Sequence, residues 1–109
     1  MEIKYTFSKE KKFVFERKEY SEIKFDTDDL TAETLEKVSI MMADQQVPAS
    51  LASNLLAAPT IIRLIAVAAK KPVELIRALP MKAYIKLSGG LIDFLVSEDL
   101  TQPTNSQES

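Results

Sequence analysis

The fold is decided by residues 59–96, which read PTIIRLIAVAAKKPVELIRALPMKAYIKLSGGLIDFLV. The stretch contains three apolar segments at helical spacing, and each follows a proline: Pro59, Pro72 or Pro80. Proline is tolerated in the first turn of a helix, because its missing N–H group would have had no partner there. The stretch therefore predicts three consecutive helices, which we expect to form the core.

Length and composition limit the chain to one modest core. It has 109 residues, which is enough for a single domain. Hydrophobic residues make up 46% and charged residues 28%, a composition typical of folded globular proteins. The last residues are polar with few apolar side chains. We therefore predict a single α+β domain over residues 1–97 and a disordered polar tail over residues 98–109.

The beginning of the chain has the alternation of β-strands. Apolar and polar residues alternate over residues 3–7 and 20–25, and Phe13-Val14-Phe15 lies between these runs. We expect a hairpin between the first two runs, closed by residues 8–12, or a three-stranded meander with the third. So small a sheet cannot bury enough surface alone, and its aromatic face must pack on the helices. The aromatic residues of that face are Tyr5, Phe7, Phe13, Phe15 and Phe25.

Two shorter helices are predicted before the proline-marked stretch. Thr31 or Asp29 can cap a helix over about residues 32–43, and a second helix spans about residues 51–57. The inward-facing residues we expect are Leu35, Val38, Met41 and Met42 in the first helix and Leu51, Leu55 and Leu56 in the second. The predicted fold is therefore α+β, with a small N-terminal antiparallel β-hairpin or three-stranded meander packed on a C-terminal bundle of four to five helices.

The residue types argue against catalysis and against a cofactor. The chain contains neither Cys nor His, which excludes disulfides, thiolate and imidazole metal sites, thiol nucleophiles and the usual general base at neutral pH. Its two glycines, Gly89 and Gly90, lie inside a predicted helix and do not form a phosphate-binding pattern. We expect a protein that is not an enzyme and has no metal or cofactor.

The sequence also argues against a membrane location. Charged residues, rather than an apolar run, follow Met1, so we predict no secretory signal. The longest nearly uncharged apolar segment, residues 61–69, contains Arg63 and is about half of the roughly 20 residues that a membrane-spanning helix needs. We expect a cytoplasmic protein that does not contact a membrane.

A family resemblance is carried by residues 76–87, IRALPMKAYIKL, and by the following Asp93-Phe94-Leu95. In its order of elements, a short β part, an acidic segment and helices on both sides of the Leu79-Pro80 step, the chain resembles the tail assembly chaperones of long-tailed bacteriophages and prophages. The resemblance covers about residues 61–96. It implies a protein of the host cytoplasm that binds the long, hydrophobic tape-measure protein, keeps it soluble and helps to recruit tail-tube subunits, without enzymatic activity.

The last predicted helix, residues 81–96, has more apolar side chains than a core needs. Its predicted core stripe comprises Met81, Tyr84, Ile85, Ser88, Leu91, Ile92 and Leu95. Leu87 and Phe94 form a second apolar flank, which a partner helix or a second copy of the chain could cover. Alternatively, both side chains pack under the N-terminal sheet. The candidate partner-binding residues are Tyr84, Leu87, Gly90, Leu91, Phe94 and Leu95.

A second function class stays open. The chain could be a small nucleic-acid-associated regulator from a mobile element, which would contact phosphates through Arg63, Lys70, Lys71, Lys82 and Lys86. The formal net charge of −2 provides no strong field for nucleic acid, and no aromatic stacking motif accompanies these residues. We therefore favour a protein partner.

The shared core gives a first prediction. Deleting residues 1–25 should expose apolar helix surface and cause aggregation, because neither the sheet nor the helices can cover their apolar faces alone. Size-exclusion chromatography and thermal unfolding measure this outcome. A truncated chain that stays monomeric with an unchanged melting temperature would contradict the shared core.

Overall fold

The computed structural model describes the backbone of residues 1–106 and the side chains of residues 1–97. Its strands are β1 (Glu2–Thr6), β2 (Phe13–Phe15), β3 (Lys18–Tyr20) and β4 (Glu22–Asp26). A 3-10 turn, Thr27–Asp29, then leads to the helices α1 (Ala32–Asp44), α2 (Ala49–Ala52), α3 (Ala58–Ala69), α4 (Val73–Arg77) and α5 (Met81–Ser106). The predicted α+β class is confirmed.

The strands form one long hairpin with two separately paired parts. β1 pairs antiparallel with β4, so that Ile3 lies opposite Phe25, and β2 pairs antiparallel with β3. The predicted pairing of the first two runs is therefore wrong. The chain turns back directly after β2, and the polar residues 8–12 separate the two paired parts instead of closing a hairpin. The third run is divided at Ser21 into β3 and β4.

The turn between β2 and β3 explains this pairing. Glu16 and Arg17 both have positive φ angles, of 51° and 68°. Two-residue turns with positive φ at both positions match the twist of paired strands, and they usually contain Asn or Gly. Each side chain costs roughly 1–2 kcal/mol in this left-handed region. The turn has only two residues. Because neither of them is Asn or Gly, the sequence does not predict it.

The sheet and the helices share one core. β1 packs on α5, and β4 packs on α3. Ile23 and Phe25 of β4 are buried in the same apolar cluster as residues of α1, α3, α4 and α5. Of the predicted aromatic face, Phe7, Phe13 and Phe25 are buried, whereas Tyr5 and Phe15 are half-buried against the cluster. The rings of Phe7 and Phe13 stack with centroids 5.4 Å apart.

Helix α1 starts where its cap was predicted. The Thr31 hydroxyl accepts from the Thr34 N–H group, and the Thr31 N–H group donates to the Thr34 hydroxyl at 3.1 Å, which forms a capping box. Val38 and Met42 are buried as expected. Leu35 is not: its predicted inward orientation is wrong, because the buried face of α1 passes through Thr34, Val38 and Met42.

The three prolines begin helices as predicted. Pro59 lies in the first turn of α3, Pro72 is the residue before α4, and Pro80 is the residue before α5. Helix α3 is largely enclosed, and its buried residues are Thr60, Ile61, Arg63, Leu64, Ile65, Ala66 and Ala68.

Helix α2 ends earlier than predicted. It covers Ala49–Ala52, because Asn54 starts a turn in which its side-chain Oδ1 accepts from the Leu56 N–H group. The Asn54 carbonyl also accepts from the Thr60 hydroxyl at 3.0 Å. These bonds replace a continuing helix. The expected inward orientation of the leucines after residue 50 is wrong: Leu51, Leu55 and Leu56 are 42%, 40% and 44% exposed.

Helix α5 presents a different stripe to the core than predicted. Its buried residues are Ala83, Leu87, Ser88 and Leu91, whereas Met81 is 71% and Ile85 is 60% exposed. The helix is therefore rotated so that Leu87, placed on the second flank by the sequence pattern, faces the sheet. Of the two residues that the alternative placed under the sheet, Leu87 is fully buried in the core and Phe94 is half-buried.

The end of α5 also differs from the expectation. The helix extends to Ser106 rather than ending near residue 96. The predicted disorder of residues 98–109 stays a prediction, because residues 107–109 and the side chains from residue 98 onward lie outside the described part of the chain. Over residues 1–106, no helix combines the length and the apolar character needed to cross a membrane.

The two glycines of α5 give a matched pair of variants. A Cβ atom at Gly90 would lie 3.0 Å from Cγ2 of the buried Ile3, whereas a Cβ atom at Gly89 would meet nothing within 4 Å. Gly89→Ala should raise the free energy of unfolding by about 1 kcal/mol through helix propensity alone. Gly90→Ala should be about 1–3 kcal/mol less stable than Gly89→Ala, because the added methyl group overpacks the contact with β1.

Urea unfolding of the two glycine variants measures the difference. Both changes have the same effect on helix propensity, so any difference in stability reports the packing on β1. In an Ile3→Ala background, which removes all three contacting carbon atoms, the difference between the two alanine variants should disappear. Equal stabilisation by the two alanines would contradict the close approach of β1 to α5.

Candidate partner-binding surface

The six candidate residues of the last helix do not form one surface. Leu87 and Leu91 are fully buried in the core, and Gly90 lies beneath Ile3. The expectation that Leu87 contributes to an exposed flank is wrong, because α5 turns this side toward the sheet. Tyr84, Phe94 and Leu95 are half-buried, and they border two separate surface hollows.

The first of these, the leucine hollow, has a volume of about 240 Å³. It lies between the start of α1, the turn after α2, the middle of α3 and the end of the described side chains of α5. Its lining residues are Leu30, Thr31, Ala32, Leu35, Leu55, Leu64, Phe94 and Leu95. Of the side chains that the structure describes, Thr31 is the one polar residue in this lining. The hollow therefore provides apolar contact with almost no hydrogen-bonding capacity.

The leucine hollow is open because Leu35 and Leu55, which the sequence pattern assigned to the core, lie at its rim. Leu35 and Leu55 are 42% and 40% exposed on its rim. An isolated exposed leucine needs no explanation, since much of any protein surface is apolar. Two of them around an apolar concavity, together with Phe94, are typical of an interaction surface.

The second, the tyrosine hollow, lies at the start of α5. It has a volume of about 260 Å³, and its lining residues are Ala58, Ile62, Ile76, Arg77, Leu79, Met81 and Tyr84. Burial raises the pKa of the Tyr84 hydroxyl, and the Ser88 side chain partly offsets this change. Tyr84 is therefore a neutral phenol at physiological pH. The exposed Met81 extends the apolar surface beyond the hollow.

The leucine and tyrosine hollows lie on opposite sides of α3. Leu64 lines the first and Ile62 lines the second. Residues two apart in an α-helix point about 200° away from each other. One straight helix of a partner therefore cannot fill both hollows at once, and Tyr84 lies on a different surface from Phe94 and Leu95.

A third concavity, the arginine hollow, adjoins the tyrosine hollow. It has a volume of about 390 Å³, and its lining residues are Gln45, Gln46, Val47, Pro48, Leu51, Ala58, Pro59, Ile62, Arg63 and Arg77. Arg63 is only 6% exposed. Its Nε and Nη2 groups donate to Oε1 of Gln45, and its Nη1 group donates to the Pro59 carbonyl at 2.9 Å.

The placement of Arg63 bears on the nucleic-acid alternative. Arg63 was one of five cations proposed to contact phosphates, but its guanidinium is bound to Gln45 and Pro59 instead of standing on the surface. Lys71 lies against the N-terminal hairpin, with Nζ 5.8 Å from the centroid of the Tyr20 ring. Arg63 lines the arginine hollow, which none of the other four proposed cations lines, and the phosphate-binding alternative stays a prediction.

Comparisons with known proteins identified no relative of this chain. No family model matches the chain, and neither a curated protein nor a solved structure is significantly similar to it. Within the described residues, no group of three or more Asp or Glu side chains is arranged to hold a metal ion.

Sequence reasoning missed the residues that make the leucine hollow open. Leu35 and Leu55 were assigned to the core, but they are 42% and 40% exposed. One signal was available: Asn54 between Ser53 and Leu55 is typical of a turn that ends a helix and leaves the next leucines outside it. For Leu35 the sequence offered no such signal, since its position fits the apolar spacing of α1.

The two flank residues should now respond differently to truncation. Leu87→Ala should lower the free energy of unfolding by about 2–5 kcal/mol, because it leaves a cavity in the core. Phe94→Ala should cost clearly less, since Phe94 is half-buried at the rim of the leucine hollow. Ile85→Ala, on the exposed side of α5, serves as a control and should stay within about 0.5 kcal/mol. Urea unfolding measures all three, and equal losses for Leu87→Ala and Phe94→Ala would contradict the assigned orientation of α5.

Proposed function

We propose that the protein is a tail assembly chaperone of a long-tailed phage or prophage. It binds a helical segment of the tape-measure protein in the leucine hollow, keeps that long partner soluble in the host cytoplasm and helps to recruit tail-tube subunits. The observation that carries this proposal is the leucine hollow itself: an open apolar concavity bordered by the half-exposed Leu35 and Leu55.

The chemistry of the leucine hollow suits an amphipathic helix. Such helices insert apolar side chains, spaced three or four residues apart, into a hydrophobic groove of their partner. Among the described side chains, those that line the hollow include no charged residue and one hydroxyl, from Thr31, so they favour apolar side chains over a particular polar group. A chaperone that must hold many similar segments of one long protein needs this kind of tolerant contact.

The proposed action is passive. The chaperone lowers the concentration of free tape-measure protein with exposed apolar helix faces, and it is released as these faces pack in the assembling tail. Binding therefore needs to be reversible, which agrees with a small hollow and few polar anchors. The resemblance of residues 61–96 to tail assembly chaperones supports the same function.

Co-expression tests the proposal. The chain is produced together with a phage tape-measure protein, and the soluble fraction of that partner is measured. Leu35→Lys and Leu55→Lys should each reduce the soluble fraction strongly, because a charge in the hollow must be desolvated when the partner binds. The melting temperature should change little, since both side chains are already 40% exposed or more.

Ile40→Lys provides the matched control. Ile40 lies on α1 like Leu35 and is 58% exposed, but it does not line the leucine hollow. The control should leave the partner soluble. Equal effects of Ile40→Lys and Leu35→Lys, or no effect of either hollow variant, would overturn the proposal. Loss of a homodimer instead of partner binding would assign the hollow to a second copy of the chain.

A further inference from the structure

Arg63 is a buried cation that is bonded only to neutral oxygens. A guanidinium has five N–H donors. Three of them are used by Gln45 Oε1 and the Pro59 carbonyl, which leaves two without an acceptor among the described residues. Buried arginine is usually paired with a carboxylate, because a desolvated charge is otherwise costly. Here Gln45 occupies the position at which a carboxylate would be expected.

The surroundings of Arg63 increase the positive potential of the arginine hollow. Arg77 also lines the hollow, and it lowers the pKa of Arg63 by repulsion, in addition to the larger effect of burial. The Arg63 side chain also donates to the Pro59 carbonyl in the first turn of α3. The dipole of α3 is positive at this end, and Ala57 provides no side-chain cap there. Within the described residues, neither guanidinium has a carboxylate within 4.0 Å.

The arginine hollow is also continuous with apolar surface. It shares Ala58, Ile62 and Arg77 with the tyrosine hollow, which is lined largely by apolar side chains. An anion bound by the two arginines would therefore lie beside a place for an apolar side chain. Inorganic anions carry no such group, whereas a polypeptide with an acidic residue next to an apolar one carries both.

We propose that the arginine hollow binds a side-chain carboxylate of a partner polypeptide, while the neighbouring apolar side chain of that segment enters the tyrosine hollow. Arg63 and Arg77 contact the carboxylate, and Ile62 and Tyr84 contact the apolar group. This site is separate from the leucine hollow. It rests on the proposed function only for the identity of the partner, because the chemistry of the site selects any acidic and apolar segment.

Nuclear magnetic resonance with two capped dipeptides tests the site. Acetyl-Glu-Leu-amide carries the carboxylate and the apolar side chain, and acetyl-Gln-Leu-amide differs only in that charge. The glutamate dipeptide should shift the Nε–Hε signals of Arg63 and Arg77 in a saturable way and should bind about tenfold more tightly than the glutamine dipeptide, which corresponds to about 1.4 kcal/mol. Equal binding of the two dipeptides, or no shift with either, would overturn the proposal without affecting the leucine hollow.

Two variants and a control assign the effect to the arginines. Arg77→Ala removes an exposed side chain and should weaken binding of the glutamate dipeptide about tenfold. Gln45→Glu supplies a carboxylate from within the protein, so it should raise the melting temperature and remove the preference for the glutamate dipeptide. Lys37→Ala, an exposed cation on α1 outside the hollow, should leave the affinity unchanged.

The remaining outcomes would count against the proposal. Retained preference for glutamate in Gln45→Glu would show that Arg63 does not contact the carboxylate. Equal losses in Arg77→Ala and Lys37→Ala would indicate a general effect of net charge. Tighter binding of inorganic phosphate than of the glutamate dipeptide would assign the hollow to a free anion, and tighter binding of acetyl-leucine would assign it to a chain terminus.

Discussion

The contact between Ile3 and Gly90 is the constraint on which the arrangement of the surface depends. Because Gly90 has no side chain, β1 can lie directly on α5, with Ile3 carbon atoms 3.0–3.3 Å from where a Cβ atom would be. This approach turns Leu87 and Leu91 into the core. The opposite side of α5 then faces outward, which leaves Ile85 exposed.

The second determinant of the surface is the turn at Asn54. A helix that continued through residue 57 could have turned Leu55 toward α3, where it would be buried like Leu64. Asn54 instead bonds the Leu56 N–H group and the Thr60 hydroxyl, so the chain reaches α3 by an irregular path. The leucines of that path stay half-exposed. A local hydrogen-bonding preference thus prevents the closure of the core on this side and leaves the leucine hollow open.

Local features with a recognisable residue signal could be predicted from the sequence, whereas turns without such a signal and features set by distant contacts could not. The prolines before α3, α4 and α5 and the cap at Thr31 act within a few residues, so their positions were predicted correctly. The pairing of β1 with β4 depends on a turn at Glu16 and Arg17 that contains neither Asn nor Gly. The orientation of α5 was ambiguous because two of its stripes are apolar, and only the approach of β1 selects between them. The candidate site was predicted from the same helix without knowing which stripe is buried. For this reason Tyr84 and Phe94 were assigned to one surface.

Helix α3 connects the two unusual parts of the surface. Its apolar residues are shared between the core and the hollows, with Leu64 toward the leucine hollow and Ile62 toward the tyrosine and arginine hollows. On this helix Arg63 is held without a carboxylate, and in the turn before it Leu55 stays 40% exposed. Each arrangement opposes the stability of an isolated domain, and such local conflicts are expected where a surface is shaped for a partner. Because α3 is largely enclosed and lines all three hollows, a partner that satisfies either conflict meets a surface that the fold has already formed.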